Sequence, residues 1–208
     1  TTTTTYYVRY VDACSNATSC QSVTVTVNPL PTPTITGPTN ICSATNLTLA
    51  TSTPYTTYTW SNSGGALATA TYNNVTAATT YTVTVSDVNS CTATDTHAVS
   101  INPLPTPAFN TPITTVCANT TGVTYTLSNT YSSYNWSISG GSITAGGGAT
   151  NSATVTWGSG ASGTISVTVT DGNACVGTAT ANVTINPLPI LTLTNNTPNA
   201  CNGQLTNI

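Results

Sequence analysis

The chain has 208 residues, of which 38% are hydrophobic and only 2% are charged, against about 25% charged residues in an ordinary globular domain. Arg9 is the single Lys or Arg residue. With four acidic residues, the net charge is −3. So few cations exclude the phosphate neutralisation on which nucleic-acid binding depends. The hydrophobic content and low net charge argue against disorder, and no apolar run is long enough to span a membrane.

The sequence NPLP occurs three times and divides the chain into repeats. Its first prolines are Pro29, Pro103 and Pro187, which gives spacings of 74 and 84 residues. These spacings are longer than solenoid repeats and fit β-sandwich domains somewhat smaller than a ~100-residue immunoglobulin domain. The predicted organisation is listed in chain order: the closing hairpin of one repeat with its linker at 1–31, complete repeats at 32–105 and 106–189, and the start of another repeat at 190–208.

Apolar and hydroxyl side chains alternate along the predicted strands. In one segment Val83 and Val85 alternate with Thr82 and Thr84. This period of two places valine on a core face and threonine on a solvent face, and no segment shows a helical period. The fold class is therefore predicted to be all-β, with tandem antiparallel β-sandwich domains of about seven strands. Proline fixes φ and favours extended backbone, so the NPLP segments should act as semi-rigid spacers.

Seven cysteines recur in register with the repeats. We expect disulfides, and the predicted pairs are Cys42–Cys91, Cys117–Cys175 and Cys14–Cys20. Cys201 repeats the position of Cys42 and Cys117. Zinc or redox chemistry is the alternative, but the sequence has no CxxC and a single histidine, which favours disulfides. Disulfides indicate an oxidising compartment, so the chain should be extracellular.

Aromatic residues cluster before one strand of each complete repeat. Trp60 and Trp136 are predicted to be core anchors, because a lone tryptophan in a strand normally fills a core. Tyr55 and Tyr131 precede these strands and are candidate binding residues at the end of the sandwich. They would stack on sugar rings if the chain binds a glycan.

The order cysteine, Y-x-W, TVTVxDxxxC and NPLP carries a family resemblance. It is seen in YTW at 58–60 with YTVTVSDVNSC at 81–91, and in YNW at 134–136 with ISVTVTDGNAC at 165–175. The pattern resembles the PKD-like and immunoglobulin-like repeats of giant surface proteins in Bacteroidota, including adhesins of gliding bacteria. The resemblance implies an exported cell-surface protein whose repeats are spacers of a stalk or filament, without catalytic activity or cofactor.

The few charged groups have two interpretations each. Asp12, Asp87 and Asp171 lie in Asp- and Asn-containing turns, which predicts Asx turns rather than calcium sites because each place offers one carboxylate; no metal site is expected. Asp95 and His97 lie two apart on one strand face. We expect a local ion pair or a domain contact rather than a catalytic relay, because no motif supplies a nucleophile.

Two classes of function fit these features. The leading hypothesis is a structural fibre, filament or adhesin stalk that self-associates, because an almost uncharged surface offers little repulsion between copies. The alternative is a carbohydrate- or surface-binding adhesive module. Ice binding by threonine arrays is a weaker idea, since sandwich strands twist and a flat array needs them straight. Nothing in the sequence favours an enzyme.

Overall fold

The structure is a computed structural model that describes residues 2–52 and 54–192. The chain divides into two compact units, Thr1–Leu104 and Pro105–Ile208. Strands, turns and extended segments make up the described residues, which confirms the predicted all-β fold class. None of these residues belongs to a helix long and apolar enough to cross a bilayer. The predicted repeat start at 190–208, with Cys201, lies almost wholly outside the described residues.

The first unit opens with a hairpin and continues as a sandwich. Its strands are listed in chain order: β1 (Thr4–Val8), β2 (Gln21–Val25), β3 (Ile35–Thr36), β4 (Asn40–Cys42), β5 (Thr45–Thr51), β6 (Thr57–Trp60), β7 (Thr69–Val75), β8 (Thr79–Ser86) and β9 (Thr92–Asn102). Strands β1 and β2 pair with each other only, and all their residues are exposed. The sandwich has sheets ordered β3-β5-β7 and β4-β9-β8-β6.

The first strand of this sandwich is split between the two sheets. Strand β3 pairs antiparallel with β5, whereas β4 pairs parallel with the last residues of β9. The chain crosses between the sheets at Gly37, where an added Cβ would lie 2.5 Å from the Leu49 side chain and 3.0 Å from the Thr48 carbonyl oxygen. Only glycine allows so close a passage. As a result, Cys42 lies beside Asn102 at the end of β9.

The second unit repeats the four-stranded sheet, but its three-stranded sheet has a different edge strand. Its strands are β10 (Thr115–Cys117), β11 (Val123–Thr126), β12 (Ser133–Ser139), β13 (Gly141–Gly146), β14 (Ser152–Trp157), β15 (Ser162–Thr170) and β16 (Val176–Asn186). They form sheets ordered β11-β14-β13 and β10-β16-β15-β12, with β10 parallel to the end of β16. Cys117 lies opposite Asn186 there, as Cys42 lies opposite Asn102.

Each unit has its own hydrophobic core between its two sheets. Val83 and Val85 are buried, while Thr82 and Thr84 on the other face of β8 remain partly exposed. The predicted alternation of valine and threonine is therefore present. Because each sheet buries one face only, the alternate side chains of a strand form an apolar row on the core face and a hydroxyl row on the solvent face.

Candidate functional site

The three aspartate turns share one geometry. Asp87 Oδ1 accepts the backbone N–H groups of Asn89 at 2.8 Å and Cys91 at 2.9 Å. Asp171 Oδ1 accepts those of Asn173 at 2.8 Å and Cys175 at 2.9 Å. These bonds are Asx turns, as expected from the sequence. They fix the backbone that presents the cysteine after each turn.

The same turn occurs in the exposed hairpin. Asp12 Oδ1 accepts the N–H groups of Cys14 and Asn16, and Asp12 Oδ2 accepts the Asn16 side-chain amide at 3.0 Å. The bond from the Asn16 amide is the main cause that holds the pKa of Asp12 below its ordinary value. Cys14 thus lies two residues after its aspartate, whereas Cys91 and Cys175 lie four residues after theirs.

A tyrosine hydroxyl caps the loop before the tryptophan strand in both units. The Tyr55 backbone N–H donates to the Tyr58 hydroxyl at 2.6 Å, and the Tyr131 N–H donates to the Tyr134 hydroxyl at 2.7 Å. Each pair of rings also meets edge to face. Tyr58 and Tyr134 therefore hold Tyr55 and Tyr131 in place. Sequence reasoning did not assign this role, although the repeated Y-x-x-Y-x-W spacing carries it.

The two tryptophans predicted to be core anchors are buried and hydrogen-bonded. Trp60 Nε1–H donates to the Leu67 carbonyl at 2.9 Å, and Trp136 Nε1–H donates to the Thr150 carbonyl at 3.0 Å. In both units the indole closes the loop that follows its strand by bonding a backbone acceptor. Trp157 is also buried, but its Nε1–H makes no hydrogen bond with any described residue.

Tyr55 lines a cleft of 460 Å³ in the first unit. The cleft lies between the proline linker, with Leu30, and the Asx turn, with Asp87 and Val88. Val88 is 87% exposed. Tyr131 packs against the core of the second unit. The cleft is largely apolar and has one carboxylate at its edge.

Asp95 and His97 bond to the backbone of the split first strand. Asp95 Oδ2 accepts the Ile35 N–H at 2.7 Å, and His97 Nε2 lies 3.2 Å from the Pro38 carbonyl oxygen, which can only accept. Both side chains therefore bond the backbone of the first strand, where the sequence predicted a local ion pair or a domain contact. The residues with the same register in the second unit, Ala179 opposite Val167 and Ala181 opposite Ile165, line a cleft of 450 Å³ instead.

The predicted disulfide pairs are wrong. Cys42 and Cys175 are disulfide-bonded, whereas the free thiols among the described cysteines are Cys14, Cys20, Cys91 and Cys117. The pairs Cys42–Cys91, Cys117–Cys175 and Cys14–Cys20 are therefore not formed.

The direction of β4 and β10 explains the correction. The prediction placed both cysteines of a repeat at one end of its sandwich. Cys91 precedes β9 and Cys42 lies beside its last residue, so the 11 residues of β9, at about 3.3 Å each, separate the thiols by roughly 35 Å. Cys117 and Cys175 stand in the same relation to the 11-residue β16. A disulfide requires Cα atoms within about 7 Å.

Residues 103–185 match the family model of the PKD-like domain. No curated protein matches the chain significantly.

Several solved structures are similar to this chain at low sequence identity. The fibronectin(III)-like modules of Clostridium thermocellum CbhA are 12% identical, with a TM-score of 0.36 over 74% of this chain and 95% of theirs. A Ca²⁺-stabilised adhesin from an Antarctic bacterium is 16% identical, with a TM-score of 0.48 over 89% of this chain and 57% of its own. The insect immune protein hemolin is 12% identical, with a TM-score of 0.34 over 88% of this chain and 56% of its own.

The disulfide-bonded cysteines are typical of a protein that leaves the cytoplasm. The chain contains a segment, residues 103–185, that is similar to the PKD-like domain.

Proposed function

We propose that the chain is a non-catalytic structural segment of a bacterial surface fibre, filament or adhesin stalk, of the kind found in Bacteroidota giant surface proteins. The observation that carries the proposal is the repetition of one framework in both units. The four-stranded sheet recurs, as β4-β9-β8-β6 and β10-β16-β15-β12, and so do the Asx turn, the tyrosine cap and the hydrogen-bonded tryptophan. The groups that differ, such as Asp95 and Ala179, do not form a repeated reactive site. What recurs is what maintains the fold, as a spacer requires.

The hydroxyl face of β15 and β16 supports self-association. Its side chains bond to one another across the strands, with Ser166 and Thr180 at 3.0 Å and Thr168 and Thr178 at 3.3 Å. A face without charge whose hydroxyls are already paired loses little hydration when a copy covers it. Contacts of this kind should depend weakly on salt, because they contain no ion pairs to screen.

Light scattering tests this proposal on the chain itself. Association of the chain should change less than twofold between low and high salt, and Ser166→Lys with Thr180→Lys should abolish it. Thr24→Lys in the exposed hairpin is the matched control, which adds charge to another hydroxyl row. Association that disappears with salt, or that the hairpin variant abolishes equally, would contradict the role of the β15–β16 face.

A second candidate function, binding of a surface glycan, is favoured by the cleft beside Tyr55. The partly buried Tyr55 lines this cleft with Leu30 and Val88, and Asp87 adds one polar group to the apolar lining, which is how small-ligand sites are built. A glycan array with Val88→Ser tests it, because Val88 is exposed and its replacement should leave the fold intact. Loss of a reproducible signal supports binding here; Val176→Ser, an exposed valine of the second unit, should leave the signal unchanged.

A further inference from the structure

The four cysteines of the two sandwiches fall into two positional classes. Cys42 and Cys117 follow the short parallel strand and lie beside the last residue of the closing strand, so we term them exit cysteines. Cys91 and Cys175 end the Asx turn that precedes the closing strand, so we term them turn cysteines. Each class occupies one fixed place in the repeat.

Each class contains one disulfide-bonded member and one free member. Cys42 and Cys175 are bonded, whereas Cys117 and Cys91 are free. Both positions are therefore compatible with a disulfide in this fold. The length of the closing strand excludes a bond between the exit and turn cysteines of one sandwich, so a disulfide at either position needs a partner outside its own sandwich.

The linker connects the two positions along the chain. The exit cysteine lies at the end where the closing strand leads into NPLP, as Cys42 does beside Asn102. The turn cysteine lies at the end where a linker enters: a Cβ on Gly177, two residues after Cys175, would meet the Pro105 carbonyl oxygen. Along the chain, one NPLP segment therefore begins at Asn102, beside an exit cysteine of the first unit, and ends at Pro105, beside the strand that follows a turn cysteine of the second unit.

We propose that Cys117 and Cys91 are complementary halves of a covalent joint between repeats, in which the exit cysteine of one sandwich bonds the turn cysteine of the next. A second copy of this chain can supply the partner, and the contact is then head-to-tail. Such a contact does not close on itself and extends into a polymer. The proposal rests on the structural function given above, and it specifies that disulfides link successive sandwiches covalently.

The bond forms by thiol–disulfide exchange with a low-molecular-weight disulfide such as oxidised glutathione. The thiolate of Cys91 or Cys117 attacks one sulfur of the reagent, releases one reduced glutathione and forms a mixed disulfide. The thiolate of the second copy then attacks the protein sulfur of that mixed disulfide and releases the second glutathione. Two protein thiols are oxidised, one glutathione disulfide is reduced, and the two protons pass to the released glutathione thiolates.

The test uses the full chain with Cys14, Cys20 and Cys201 replaced by serine, so that only the four sandwich cysteines remain. Oxidised glutathione should convert it into a ladder of dimers, trimers and larger species on non-reducing gels. Cys91→Ser alone and Cys117→Ser alone should each stay monomeric. An equimolar mixture of the two variants should give dimers and nothing larger, at least fivefold above either variant by itself. Peptide mapping should identify the Cys91–Cys117 linkage in these dimers.

Several outcomes would overturn the joint. A ladder from either single variant, or bonds between two Cys91 or two Cys117 residues, would show that pairing is not complementary. Absence of covalent oligomers, while both thiols still react with iodoacetamide, would show that the positions do not meet. Unchanged thermal unfolding of both variants confirms that they are folded. None of these results bears on non-covalent association through the β15–β16 face, which light scattering under reducing conditions measures separately.

Discussion

Cys42 and Cys91 lie at opposite ends of β9, so the closing strand of the sandwich separates two residues that the sequence pattern pairs. Iodoacetamide without reduction should therefore modify Cys91 and Cys117 and leave Cys42 and Cys175 unmodified. Mass spectrometry of chymotryptic peptides, before and after reduction, provides the measurement. Recovery of a Cys42–Cys91 or Cys117–Cys175 peptide would contradict the placement of these strands.

Replacement of the turn aspartate should destabilise the second unit. Asp171→Ala removes the acceptor of two backbone N–H groups, and we expect the free energy of unfolding to fall by about 1–2 kcal/mol. Asp171→Asn keeps an oxygen at Oδ1 and should cost less than half as much. Urea titration followed by tryptophan fluorescence checks both variants. Equal losses for alanine and asparagine would show that the turn does not depend on these bonds.

The tyrosine cap should contribute to stability through its hydroxyl group. Tyr134→Phe removes the oxygen that accepts the Tyr131 N–H and should lower the free energy of unfolding by about 1 kcal/mol. Tyr131→Phe is the matched control, because the bond uses the Tyr131 backbone. It should change stability by less than half of that amount in the same titration. A larger loss for Tyr131→Phe would place the important hydroxyl on the other ring.

Substitution by phenylalanine should change the thermal stability of the second unit differently at Trp136 and at Trp157. Both replacements reduce core volume, but Trp136→Phe also removes the bond to the Thr150 carbonyl. Trp157→Phe removes a buried N–H that has no acceptor among the described residues, which relieves a desolvation cost. Trp136→Phe should therefore lower the thermal midpoint more than Trp157→Phe. The reverse order would indicate that Trp157 Nε1 has an acceptor such as a buried water.

Alkaline pH should destabilise the sandwiches through two tyrosines. Burial raises the pKa of Tyr72 and of Tyr125. Because the folded-state pKa lies above the unfolded value of about 10, stability is complete below pH 10 and falls as the pH rises through the raised value. Tyr125→Phe should flatten the decline of the urea midpoint above about pH 10. A slope unchanged in both Tyr72→Phe and Tyr125→Phe would exclude these groups as its cause.

The sequence predicts the sandwiches well because the valine and threonine alternation has one physical meaning. Val83 and Val85 can be buried together only if Thr82 and Thr84 face the other side. The Asx turns follow equally from local chemistry, since Asp87 bonds residues two and four positions later in the chain.

The pairing of strands that are distant in sequence does not follow from local residue patterns. Strands β4 and β10 have three residues each, and nothing within them distinguishes parallel pairing with the closing strand from a loop. That direction places Cys42 and Cys117 at the far end of the sandwich, where the disulfide prediction failed. The bonds of Asp95 and His97 to the split strand likewise depend on a crossover at Gly37 that only three-dimensional packing reveals.

Electron microscopy of the parent protein in its native assembly tests the structural function most directly. We expect elongated particles built of serial β-sandwich densities joined by short linkers. Compact single-domain particles with no serial repeat of sandwich density would contradict it.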